Sequence, residues 1–242
     1  YGDTYKANGI GLVTLQRFER ILIKSGDLID LVYGVDGETP VSDADLTSYL
    51  ENNMYELAYY TIPLYNTSTY TFADDDQTTE MLNLAQSAID EVNSYAASFA
   101  DLSDSTNSSM LMGAFSGAVT SALPDIYKVL DSTYSSDSDA PSLELIGDST
   151  IDSAFTADGA ADSVRSLSIG QAAALKYNGY AMMAVLRLDP LSLNSLDNLR
   201  SQALSDMKSE ELQDALAAYG ASLEHDLNSS AMNKMSATKI VA

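Results

Sequence analysis

The segment ADDDQTTEMLNLAQSAIDEVNSYAASFADL, residues 73–102, constrains the fold more than any other. Asp74, Asp75 and Asp76 stand where a helix N-terminus, with its partial positive charge, favours acidic side chains. Met81, Leu84, Ala85, Ala88 and Val92 follow at three- and four-residue steps, the spacing of one apolar helix face. Such a face must lie against another layer. The run just before it, YELAYYTIPLY (55–65), is rich in the Tyr, Ile and Leu that suit a half-buried strand, and Pro63 predicts a strand end or a sheet edge. Strand and helix patterns side by side predict an α+β chain.

The rest of the chain adds helices around this centre. In LVTLQRFERILIKSGDLIDLVYG (12–34), Leu15, Phe18, Leu22 and Ile29 keep a helical period and Gly34 with Gly37 marks a stop, which predicts one or two helices. Ser42 with Asp45 three residues on predicts a helix start that places Leu46, Tyr49 and Leu50 on one face. Residues 103–150 mix small apolar residues with Ser/Asp-rich flanks and carry no clear element; the second flank reads as an exposed loop. Helical turns are expected near AADSVRSLSIG, then a short strand AAALKYN and a strand over 178–188. Asn178-Gly179 between them predicts a hairpin through positive φ angles. Leu196, Leu199, Ala203 and Met207, then Leu212, Leu216, Tyr219 and Leu223, predict one or two closing helices.

Composition narrows the chemistry. With 242 residues, 45% of them hydrophobic, the chain can bury a substantial core. Its 35 acidic and 12 basic residues give a net charge of -23, which repels phosphate backbones and anionic lipid heads; no nucleic-acid partner is expected. The absence of Cys excludes thiol catalysis, thiolate zinc sites and disulfides. No run is apolar enough to span a bilayer, and the opening YGDTYKANGIG lacks the regions of a signal peptide. The acid clusters at Asp74–Asp76 and Asp137-Ser138-Asp139 lack the Gly and Glu of a calcium loop and read as solvated charge. The lone His225 has no second His or Cys with which to hold a metal, so neither a metal nor a cofactor is expected. Tyr55, Tyr59, Tyr60, Tyr65 and Tyr70 are either a platform for an extended peptide or ordinary strand and core residues.

Four stretches, in order, resemble the PrsA/SurA-like foldases, exported chaperones with an inserted parvulin-type prolyl isomerase domain. ETPVSDADLTSYLENNMYELAYYTIPLY resembles the helix that runs into the first parvulin strand. AQSAIDEVNSYAASFADLSD resembles the long helix and its following motif, with Phe99, Leu102 and Ser103 in matching places. SLSIGQAAALKYNGYAMMAVLRLDP resembles the domain's ending, through Ile169-Gly170, Gly179-Tyr180 and Leu188-Asp189, and the residues from Leu196 on resemble the C-terminal helix of clostridial members.

The resemblance implies a helical chaperone lobe from residues 1–54 and 189–242, with a parvulin-like domain over 55–188. It implies a small antiparallel sheet with helices, and clients that are unfolded or newly exported polypeptides. It also implies a place outside the cytoplasmic membrane, secreted or held as a lipoprotein by an anchor on residues preceding Tyr1. The two family histidines match Tyr60, within one residue, and Ala181, so catalysis is not expected. The former groove is expected to be lined by Tyr60, Ile62, Phe155, Tyr180 and Met182, although a core role suits Ile62 and Met182 better. Two other functions fit the residues: an active isomerase using the Tyr60 and Tyr180 hydroxyls, and a cell-envelope module with one fixed partner.

Overall fold

A computed structural model of the chain describes residues 11–134 and 140–222, without the side chains of 18–26. The chain divides into two compact units, Asp43–Leu199 and a second made of Tyr1–Ser42 with Arg200–Ala242. The boundaries expected at 54/55 and 188/189 fall inside the first of these.

In the larger unit, helix α2 (Asp43–Asn53) leads directly into strand β1 (Met54–Pro63), followed by α3 (Asp75–Ala96) and α4 (Ser105–Lys128). Then come β2 (Ser142–Gly147), α5 (Asp148–Ala154), α6 (Ala160–Ser166), the pair β3 (Ala172–Lys176) and β4 (Ala181–Leu188), and the short α7 (Pro190–Leu193). The four strands form one antiparallel sheet in the order β2-β1-β4-β3, so the chain is α+β. Pro63 ends β1 opposite Ala181, as a residue without an N–H should. The strand itself is interior, not an edge: β2 pairs Met54–Tyr59 from one side and β4 pairs Glu56–Pro63 from the other.

The alternation along β1 builds two cores. Ala58, Tyr60 and Ile62 face the long helices, meeting Met81, Ala85, Ile89 and Val92 of α3 and Leu111, Phe115 and Val119 of α4. Tyr55 and Leu57 face the opposite way, onto Ile151 of α5 and Ala160 and Val164 of α6. Each large apolar side chain buried in this way contributes about 1.5–3 kcal/mol. The start of α3 uses its acids as caps. Gln77 N–H donates to Asp74 Oδ1 (2.8 Å) and Asp74 N–H donates to Gln77 Oε1 (3.1 Å), a reciprocal capping box.

Helix α4 fills the stretch to which the sequence assigned no element. Its N-cap Asp104 accepts from the N–H groups of Thr106 and Asn107. The face it buries repeats almost every fourth residue, Leu111, Phe115, Val119, Leu123, then Ile126. Gly113, Gly117 and Pro124, all poor helix residues, mask this period in the sequence. The β3–β4 hairpin also differs from expectation. Gly179 does not adopt positive φ; instead Asn178 Oδ1 accepts the Tyr180 N–H at 3.0 Å, and the N–H groups of Tyr177 and Asn178 both donate to the Ala181 carbonyl. At the far end of β4, Asp189 caps α7 by accepting the Leu191 N–H, and Pro190 takes the first helical position.

The smaller unit contains α1 (Leu12–Tyr33), one helix spanning the whole expected segment, and most of α8 (Leu196–Ser222). Phe18, Leu22 and Leu223 lie outside the described side chains. Ile29 and Tyr33 are buried, and the Lys208 ammonium lies 5.2 Å from the Tyr33 ring centroid.

Candidate functional site

The sheet register sorts the five groove residues onto different sides. Tyr60, Ile62 and Met182 all belong to the core under α3 and α4. Tyr60 is buried there with its hydroxyl 2.8 Å from Ser116 Oγ and its ring 6.0 Å from that of Phe115. Ile62 and Met182 are packing residues, 1% and 0% exposed. Phe155 lies across the sheet in the core under α5 and α6. Tyr180 is in the hairpin turn with its side chain in solvent, while its carbonyl accepts the Leu64 N–H. These five therefore do not line one groove.

A different set converges. Ala181 shares its strand parity with Met183 and Val185, both in the α5/α6 core, so it points to the Phe155 side. On β1 the residue with that orientation is Tyr59, which packs against the same core. Tyr59, not Tyr60, therefore lies on the same side of the sheet as Ala181. With Ala58, Tyr60 and Ile62 turned toward the long helices, period-2 alternation turns Tyr59 to the opposite face of the sheet.

Tyr59, Phe155 and Tyr177 form an aromatic cluster on this face. The rings of Phe155 and Tyr177 meet edge-on, 5.4 Å between centroids at 82°. Tyr59 donates its hydroxyl to Glu144 Oε2 at 3.1 Å across the β1–β2 pair. Burial, then the Glu144 charge, raises the Tyr59 pKa above that of an ordinary tyrosine. At neutral pH the hydroxyl is therefore a hydrogen-bond donor and not a base.

Beside the cluster a polar staple holds α5 to α6. Arg165 donates to Asp148 Oδ1 and to both carboxylate oxygens of Asp152, each at 2.8–2.9 Å, and also to the Asp148 carbonyl. Tyr55 donates to Asp148 Oδ1 at 3.4 Å, and its ring carries the Arg187 guanidinium at 4.2 Å. Arg187 gives one hydrogen bond to the Leu167 carbonyl and keeps a buried Nε without a partner.

With Phe155 buried and the Tyr59 hydroxyl bonded to Glu144, the face leaves accessible the half-buried rings of Tyr59 and Tyr177 and the exposed Glu144 carboxylate. Such a surface can stack on and hydrogen-bond an extended chain, and it contains no imidazole and no nucleophile beside a base. Among the described residues no group of three or more acidic, His or Cys side chains could hold a metal ion, and no helix is long and apolar enough to cross a membrane. Asp137, Asp139 and His225 lie outside the described residues. Comparison of the chain with protein-family models, with curated proteins and with solved structures finds no match.

Proposed function

We propose that the chain is a folding chaperone of the PrsA/SurA type, acting outside the cytoplasmic membrane as a secreted protein or lipoprotein. Its parvulin-like domain holds extended segments of unfolded or newly exported polypeptide without catalysing proline isomerisation. The observation that carries this reading is the packing of Tyr59, Phe155 and Tyr177 on the side of the sheet toward which Ala181, the residue that the resemblance matches to a histidine, is turned. Three further features support it: α2 running into β1, the long α3, and the β3–β4 hairpin after Gly170, in the order that the resemblance implies.

Isomerisation must lower a barrier of about 18–20 kcal/mol by stabilising a twisted amide, which requires a preorganised polar pocket. A protonated tyrosine and an alanine are a poor basis for one. Catalysis by Tyr60 with Tyr180 gains no support from their placement, one buried under α4 and the other in a solvent-facing turn. Cis/trans exchange of a proline peptide, followed by NMR with stoichiometric protein, tests the reading. The spontaneous rate, together with suppressed aggregation of several unrelated denatured proteins, is the expected result. Accelerated exchange, or no protection of any client, would overturn it.

A further inference from the structure

The loop from Leu64 to Ala73 displays aromatic rings in a way that the sheet cores do not require. Tyr65 and Phe72 form an isolated bridge with rings 5.7 Å apart, and Tyr70 stacks on Tyr65 at 6.1 Å with 17° between planes. Tyr70 is 74% exposed and Phe72 61%. Among the described residues the only non-glycine positions with positive φ are Tyr70 (57°) and Asp131 (50°), and both stand at this one place. Bulky residues hold such backbone only where the surroundings impose it, and these positions concentrate at binding sites.

Asn66 imposes it here. Its Oδ1 accepts the N–H groups of Ser68 and Thr69, and its Nδ2 donates to the carbonyls of Leu130 and Asp131, fastening the loop to the end of α4. Thr67 N–H adds a bond to Ser132 Oγ, and Gln77 donates to the Val129 carbonyl. Between the two segments lies a groove of about 300 Å³, walled by Asn66, Thr69, Thr71, Phe72, Gln77 and Asp131 over a floor of Leu130.

The framework bonds leave specific groups for a ligand. Thr71 Oγ1 accepts from Thr69 Oγ1, so the Thr71 hydroxyl proton can point into the groove. The Asp131 carboxylate has no ion pair among the described residues and can accept two hydroxyl protons. No Lys, Arg or His lines the groove, which disfavours phosphate, sulfate or uronate groups. Most of the polar walls are neutral hydroxyls and amides, more than a single ammonium group would use. One aromatic wall beside hydroxyl-matching groups is complementary to a pyranose ring, whose C–H face is apolar and whose rim is hydroxylic.

We propose that this groove binds a neutral sugar residue of a glycan. The sugar's C–H face lies on Phe72 and the next residue along the chain lies on Tyr70, with Asp131 and Thr71 taking the hydroxyls. Sugar binding here requires nothing of the Tyr59 face.

The test is amide-resolved NMR titration of the whole chain with four neutral tetrasaccharides, cellotetraose, chitotetraose, maltotetraose and mannotetraose, beside a tetralysine peptide. Expected are saturable shifts confined to residues 64–73 and 129–132 with at least one sugar, unchanged by added salt. Affinity should fall about tenfold or more in Phe72→Leu and Tyr70→Gly. Phe72→Leu keeps an apolar side chain, and Tyr70→Gly relieves the positive φ, so a folded protein that has lost binding is obtainable. No shift with any of the four sugars at millimolar concentration would overturn the proposal. So would shifts elsewhere, binding untouched by both variants, or salt-sensitive shifts with tetralysine alone.

Discussion

The Phe155 ring stands edge-on to that of Tyr177, and the Ala157 N–H donates to the Tyr177 carbonyl at 3.2 Å, so the segment after α5 is tied to the end of β3 at two points. Phe155 is buried and Tyr177 only partly so, which makes Tyr177 the member of the pair that the proposed chaperone role would present to a client. Tyr177→Ala should weaken binding of a labelled, permanently unfolded polypeptide by about fivefold, on the order of 1 kcal/mol. Tyr59→Phe, which removes only a hydroxyl, should leave it within twofold or so. Fluorescence anisotropy measures both. Equal losses in the two variants would mean that the hydroxyl, not ring stacking, governs binding.

Glu56 lies on the interior strand β1, 4% exposed, between Leu145 and Leu188 of the flanking strands. Burial alone raises its pKa from 4.5 to about 7. The folded chain therefore holds this proton more tightly than the unfolded chain. The stability it contributes is full below the unfolded pKa, declines as pH rises from there, and is gone above about 7. The loss is on the order of 3 kcal/mol. Urea unfolding on either side of this window should show the decline, and Glu56→Gln should flatten it and raise stability on the alkaline side. An unchanged pH profile in the variant would show that Glu56 titrates normally.

Gly170, in the motif that precedes β3, has φ 83°, and a Cβ there would stand 2.3 Å from Leu102 Cδ1. Gly159 has φ 74° with open space around it. Gly159→Ala should cost about 1 kcal/mol through backbone strain alone. Gly170→Ala should cost about 2 kcal/mol or more, because Leu102 must also move. Denaturant midpoints of the two variants compare them, and equal costs would show that Leu102 yields freely.

The Asp74–Gln77 capping box secures the first turn of the helix that carries Met81, Ala85 and Ile89 into the core. Asp74→Ala should cost about 1 kcal/mol in chemical denaturation, and Asp74→Ser should recover most of it. Asp75→Ala, which leaves both capping bonds in place, should have a smaller effect.

Much of the architecture was legible in local pattern. The acids and the three- and four-residue steps of α3, the Tyr-rich run closed by Pro63, and the single long period of 12–34 each correspond to an element with nearly the expected bounds. Helix α4 was not read because Gly113, Gly117 and Pro124 lower its intrinsic propensity. Leu111, Phe115, Val119 and Leu123 nevertheless repeat every four residues and could have revealed it. Strand β2 was hidden by its six-residue length and the Ser/Asp-rich stretch before it.

By itself, the sequence determined where α1, α3 and the Pro63 end of β1 lie, because caps, prolines and periodicity act through neighbouring residues. Only the tertiary structure decided which face each strand residue takes. β1 is apolar or aromatic at nearly every position from Met54 to Tyr60, so both registers satisfy the pattern, and a shift of one residue exchanges Tyr59 for Tyr60. That choice was made by pairing with β2 and β4 and by the two helical layers. The same long-range packing brought Phe72 and Asp131, some sixty residues apart in the chain, to one groove. No local interaction could do so, because the hydrogen bonds that join those segments, from Asn66 to Leu130 and Asp131, exist only once the chain has folded.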